Sequence, residues 1–236
     1  MNEEAMIKFL VVVAYYERPE MLRNALRSVK NSTYKNWDLC LIDDGIEFPG
    51  IGILNECFTK EERIEHGISY IQTMDEKKRK DDRGGSQHGI YINTAIETSD
   101  SDIIIILCDD DILMSDYMEK LNSFYTLNPE VKYSYCHLEF YDPLNEKDIV
   151  NSNYTRYLNS MNTPINPVRR VDSSQVTWRR NAWIESGIKF PYPRTSNLDE
   201  LIFGNMHNSW GKCVFNDIVG QRKGIHAQQL INFNKK

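Results

Sequence analysis

No two of the five cysteines in this 236-residue chain, Cys40, Cys57, Cys108, Cys136 and Cys213, have C-x-x-C spacing, and their number is odd. Neither a disulfide framework nor a zinc site is suggested, and a reduced, cytoplasmic setting is expected. No apolar run approaches the roughly 20 residues that cross a bilayer. The acidic start, Met1 to Met6, and the short stretch from Phe9 to Tyr16 do not make a secretory leader. Peripheral attachment to a membrane stays open. Excess positive charge is missing too: a net charge of -6 argues against broad binding to nucleic acid. The one basic run, Lys77-Lys78-Arg79-Lys80, has acidic neighbours and no interleaved aromatics, so it reads as a solvated loop or one that closes over a diphosphate. No Pro/Ser-rich linker divides the chain, and its length suits a single domain.

What the chain does have is acid at the ends of apolar runs. Ile103 to Leu107, rich in β-branched residues, leads through Cys108 into Asp109, Asp110 and Asp111. Such a run is an interior strand, and ligands bind at the carboxyl ends of interior strands. Three adjacent carboxylates repel one another unless a cation or many donors compensate. Hard oxygen ligands favour magnesium or manganese, which share their coordination with substrate phosphates. A solvated acidic turn before the next helix is the plainer alternative.

The same pattern appears earlier. Phe9 to Val13 is a first strand; Arg18-Pro19-Glu20 starts a helix with Leu22, Ala25, Leu26 and Val29 on one face, ended by Asn31-Ser32. Trp37 to Ile42 is a second strand running into Asp43-Asp44-Gly45, which makes a parallel βαβ unit. Beyond it the pattern predicts a helix near Leu54 to Arg63, a strand at Ile68 to Gln72, and a helix carrying Ile92, Ala95 and Ile96 after Gly84-Gly85-Ser86. Ser115 is expected to cap a helix that Asn128-Pro129 stops, and Lys132 to Tyr141 to form a half-buried strand. Asn151 to Pro167 reads as a long irregular segment and Val168 to Trp178 as extended. A short helix is expected at Asn181 to Ser186, then one from Leu198, capped by Thr195-Ser196-Asn197, with Leu198, Leu201 and Ile202 inward. Cys213 to Val219 reads as a last strand, followed by a polar tail, Gln221 to His226.

Two blocks of this chain resemble the nucleotide-diphospho-sugar transferases of glycosyltransferase family 2. One is Val11 to Pro19 with Thr33 to Trp37 and Ile42 to Gly45; the other is Ile92 to Glu97 through Asp109-Asp110-Asp111, which is similar to the spore-coat polysaccharide transferases of that family. The likeness covers about the first 125 residues, with Val171-Asp172-Ser173-Ser174 and Leu198-Asp199-Glu200 as later landmarks. It implies an α/β GT-A (Rossmann-like) single domain, a mostly parallel central sheet flanked by helices. Residues 1–112 would form the nucleotide-sugar half, and 113–236 the acceptor half and tail.

The resemblance further implies an inverting transfer from a UDP- or dTDP-sugar to the hydroxyl of a glycan or another acceptor, with Mn2+ or Mg2+. Tyr16 would stack on the base, Asp44 accept from the uracil imide and Asp109 touch the ribose, with Ala14 and Glu17 lining the donor. Asp110 would hold the metal, with Asp111 as second choice and His226 as a late ligand. Arg222 and Lys223 would face phosphate. Asp199 would be the base, Glu200 the alternative. Read without the resemblance, Tyr16 could be a core-edge tyrosine, Asp44 an Asx-turn residue, Asp199 an ordinary first-turn acid and His226 a surface histidine.

The family often has Asn where Glu17 stands, and Ala-Arg-Asn where this chain has Tyr91-Ile92-Asn93. A donor contact from arginine would then come from elsewhere, such as Arg83. Two other readings stay open: a binding module of the same fold without turnover, and a sugar-nucleotide pyrophosphorylase, although no glycine-rich loop follows Val13.

Overall fold

The computed structural model describes residues 6–45, 47–73, 88–150, 153–191 and 198–225. Arg83, Gly84-Gly85-Ser86, the basic run, the caps at Thr195-Ser196-Asn197 and His226 lie outside the described residues. In chain order the elements are β1 (Phe9–Tyr15), α1 (Pro19–Lys30), β2 (Trp37–Asp43), α2 (Gly50–Cys57), α3 (Lys60–Glu65), β3 (Ser69–Gln72), α4 (His88–Thr98), β4 (Ile103–Cys108), β5 (Ile112–Leu113) and α5 (Tyr117–Leu127). They continue with β6 (Tyr133–Asp142), β7 (Lys147–Asp148), α6 (Asn153–Leu158), β8 (Val176–Arg179), α7 (Arg180–Ser186), α8 (Leu198–Trp210) and β9 (Val214–Gly224).

The strands form one sheet in the order β3-β2-β1-β4-β8-β6-β9-β5, with β7 beside β6. β3, β2, β1 and β4 are parallel neighbours, as is the β6/β9 pair. β8, β5 and β7 run antiparallel to their partners. Alternate side chains of the central strands enter different cores. Phe9, Val11, Val13, Leu39, Leu41, Ile103 and Ile105 meet α1, α2 and α5 on one face. Leu10, Val12, Cys40, Ile42, Ile104 and Ile106 meet α4, α7 and α8 on the other. Burial on both faces explains why these strands read as continuous apolar runs.

Parallel register puts the carboxyl ends of β1, β2 and β4 on one rim: Tyr15 lies opposite Asp43, and Ala14 opposite Cys108. Asp43 itself is sealed inside this rim, fully buried. Its carboxylate accepts from Gly45 N (2.8 Å), Gly50 N (2.6 Å) and the Tyr70 hydroxyl (2.6 Å), so it braces the turn after β2.

Several expected elements differ. The helix expected over 54–63 is two helices, because Thr59 and Glu62 make a capping box that starts α3 afresh after the extended Phe58. Asp116, not Ser115, stands at the N-cap of α5. β6 is buried along most of its length instead of half-buried, since strands flank it on both sides. The segment expected to be irregular holds α6, and the stretch expected to be extended holds a 3-10 turn, Ser173–Gln175, capped by Asp172. On α8, Ile202 is buried and Leu198 packs against the core as expected, joined by Phe203 and Met206, while Leu201 is exposed. β9 continues through Gln221, Arg222, Lys223 and Gly224, so these residues belong to the sheet rather than to a tail.

Removing the buried Asp43 carboxylate strands two amides and a phenol. Asp43→Ala is expected to lower stability by about 2–4 kcal/mol, read as a lower urea midpoint at unchanged slope. An unchanged midpoint would show that the brace is unimportant.

Candidate active site

The turn between β1 and α1 is built around an uncommon conformation. Glu17 has φ 54°, in the left-handed region that side chains other than Asn, Asp and Gly seldom enter. Its carboxylate offsets the cost by accepting from Glu47 N (3.0 Å) and Phe48 N (3.1 Å), which ties this turn to the one after β2. The next residue, Arg18, occupies the N-cap position of α1 but makes no side-chain cap. Its guanidinium instead crosses to the acidic turn after β4.

That crossing organises the site. Arg18 donates to both oxygens of Asp109 (Nε to Oδ2 at 3.2 Å, and Nη2 to Oδ1) and through Nη1 to Asp110 Oδ2 at 2.7 Å. Asp109 Oδ2 also accepts from Tyr16 N at 2.9 Å, and Asp109 N donates to the carbonyl of Ala14 at 3.1 Å. The Asp109 carboxylate is fully buried, and burial pushes it up to about 6 against the opposing pull of Arg18. Its bonds hold the Tyr16 backbone and the Arg18 guanidinium, and Tyr16 as a whole is 47% exposed.

Asp111 points the other way. Its Oδ1 accepts from Gly224 N at 3.0 Å, and Lys223 Nζ lies 3.8 Å from Oδ2, which finds no hydrogen-bond donor among the described residues. Burial drives its carboxyl upward despite Lys223. Lys223 also donates to Asp172 Oδ1 at 2.9 Å. Burial would raise Asp172, but the Lys223 charge and the bonds from Ser174 and Lys223 outweigh it and hold the carboxyl below its ordinary range. Cys108 Sγ and carboxylate oxygens of Asp110 and Asp111 lie within 4.8 Å of one another. Burial pushes the Cys108 thiol well up, so it stays protonated beside the carboxylates.

β9 presses closely on this turn. The Tyr141 hydroxyl donates to the carbonyl of Asp110 at 2.9 Å, and a Cβ on Gly224 would sit 2.2 Å from that same carbonyl oxygen. Glycine is thus required at 224 by close approach. On the β2 side, Asp44 is half-buried and accepts from Thr73 Oγ1 at 2.5 Å.

The structure therefore brings Ala14, Tyr16, Glu17, Asp44, Asp109, Asp110 and Asp111 to one rim. Arg222, expected at phosphate, is drawn to Asp148 and Glu139, its guanidinium lying 4.8 Å from the centre of the Tyr141 ring. Asp199 and Glu200 stand in the first turn of α8; Asp199 is exposed and Glu200 pairs with Arg169. In the sequence, Arg18 reads as a helix start within the first family-like block, and Asp172 as a later landmark, neither with a role in the site. The signal available for Arg18 was a long cation at an N-cap position, where short polar residues are the rule.

Residues 10–213 match the family described as Glycosyl transferase family 2. Protein CgeD of Bacillus subtilis is 23% identical over 128 residues, 54% of this chain and 28% of its own length. An uncharacterized glycosyltransferase of Haemophilus influenzae is 26% identical over 133 residues, 55% of this chain and 48% of its own. This chain's match thus spans less than half the length of either relative. Among solved structures, S. aureus TarS 1-349 in complex with UDP-GlcNAc superposes with a TM-score of 0.70 at 13% identity, covering 93% of this chain and 59% of that one. Mannosyltransferase PcManGT from Pyrobaculum calidifontis, in complex with GDP-Man and Mn2+, gives 0.68 at 11% identity, covering 98% and 60%. No helix among the described residues is long and apolar enough to cross a membrane.

A methyl group at 224 must part β9 from the acidic turn. Gly224→Ala is expected to cost about 1–3 kcal/mol in denaturant unfolding. Wild-type stability would contradict the close approach.

The match over residues 10–213, on a mostly parallel sheet whose strand ends gather an exposed tyrosine and four aspartates on one rim, establishes that this chain belongs to glycosyltransferase family 2.

Proposed function

We propose that the chain transfers a sugar from a uridine diphosphate sugar to an acceptor hydroxyl, with inversion at the anomeric carbon. The observation that carries this reading is the common rim on which Tyr16, Asp44 and the Asp109-Asp110-Asp111 turn end three parallel strands. UDP-GlcNAc in the TarS neighbour supports the donor class. The exposed Tyr16 ring would carry the base and Asp44 would accept from its imide. Asp109 would act from below, fixing Tyr16 and Arg18.

The residues fit a hard divalent cation. The carboxylates of Asp109, Asp110, Asp111 and Asp172 crowd this corner against the Arg18 and Lys223 charges. One buried oxygen, Asp111 Oδ2, has no donor, and the available ligands are oxygens. Asp110 would hold the metal, with Asp111 behind it; when bound, Mn2+ or Mg2+ would neutralise charge building on the departing diphosphate.

Asp199 would take the proton from the acceptor hydroxyl as its oxygen bonds to the anomeric carbon and the diphosphate leaves from the opposite face. The first turn of α8 favours its ionised form. Glu200, held by Arg169, is the poorer candidate.

UDP with Mn2+ at about a hundredfold over Kd is expected to raise Tm by about 5–10 °C, and Asp110→Ala to abolish the shift. No shift with any nucleotide would overturn the reading. Asp199→Asn should keep UDP affinity while transfer falls by about 10²–10⁴-fold; undiminished transfer would move the base elsewhere.

A further inference from the structure

We propose that Arg18 is a built-in counter-ion for the acidic turn, covering Asp110 until a nucleoside diphosphate arrives with its metal, so that the site takes up metal and nucleotide together. The inference rests on the nucleotide-sugar reading above. Its basis is the geometry of one side chain. Arg18 forks onto Asp109 and reaches Asp110 Oδ2 at 2.7 Å with a third nitrogen. The two carboxylates are unequal: Asp109 is sealed, whereas Asp110 is 12% exposed on its side chain and Arg18 36%. The Asp110 contact is the one at the solvent edge, and the fork on Asp109 can hold the guanidinium nearby when that contact opens.

A divalent cation alone would approach Asp110 against this fixed positive charge, with one carboxylate oxygen already engaged. A diphosphate changes the balance, because its oxygens accept from a guanidinium in the same bidentate manner as a carboxylate. Arg18 then exchanges Asp110 for phosphate, and Asp110 turns to the metal. Each ligand lowers the cost of binding the other, and the coupling must be reciprocal. The left-handed Glu17 and its bonds to Glu47 N and Phe48 N hold the backbone from which Arg18 projects, so the exchange needs only side-chain rotation.

Mn2+ binding, followed by the electron paramagnetic resonance of the free aqua ion, tests this. Without nucleotide, Arg18→Gln is expected to bind Mn2+ about tenfold more tightly than wild type. Adding Asp110→Asn should remove the gain. UDP should tighten Mn2+ binding strongly in wild type and about tenfold less in Arg18→Gln. UDP-dependent Mn2+ binding that Arg18→Gln leaves unchanged would overturn the counter-ion role alone. Absence of Mn2+ binding by both proteins, even with UDP, would overturn the transferase reading and this inference with it. A wild-type measurement covers a variant that fails to fold: the Arg18 Nε–H NMR signal, assigned by its loss in Arg18→Lys, should shift with UDP plus Mg2+ and stay in place with Mg2+ alone. A signal unmoved by UDP plus Mg2+ would overturn the proposal.

Discussion

Compensation of three successive carboxylates at the end of a buried strand is the constraint from which the rest of the site follows. Like charges this close are unfavourable in a low-dielectric setting, and the chain answers from three directions. From β1, Tyr16 N and the Arg18 guanidinium take Asp109 and Asp110. From β9, Gly224 N and Lys223 take Asp111. Asp172, ahead of β8, steadies Lys223. Segments more than 200 residues apart are thereby held together at one corner, and one buried oxygen, Asp111 Oδ2, is left without a hydrogen-bond donor among the described residues.

The division between brace and site runs through pairs of adjacent residues. Asp43 is spent entirely on Gly45, Gly50 and Tyr70, while Asp44 beside it is half-buried. Asp111 faces β9 while Asp110 faces Arg18. The Glu17 departure from the Asn common in the family has a physical consequence as well. Asn enters the left-handed region readily, whereas Glu gains its tolerance from two hydrogen bonds to the turn after β2. Two loops of the rim are coupled in this way.

What was legible in the sequence was local. Ile103 to Leu107 and Phe9 to Val13 are uniform apolar runs because both sheet faces are covered, and acid follows them directly. The rim could thus be assembled from pattern alone. The pairings of Arg18 with Asp109 and of Lys223 with Asp111 span 91 and 112 positions, so neither partner could be read from its neighbours in the chain. β9 was cut short at Val219 because Gln221 and Lys223 look like surface residues. They are buried since their partners, the Ile106 carbonyl and Asp172, are polar. On α8 Leu198 and Ile202 face inward as their spacing implies, and Leu201 alone departs, being apolar but exposed.

The central claim is that the acidic turn is a seat for metal-bound diphosphate. Anomalous diffraction from crystals soaked in Mn2+ and UDP tests it most directly. The account predicts a manganese peak at the Asp110 carboxylate, with the diphosphate beside it and the base on the Tyr16 ring. Density showing UDP bound elsewhere, or an Asp110 still paired with Arg18 and without manganese at saturating ligand, would contradict it.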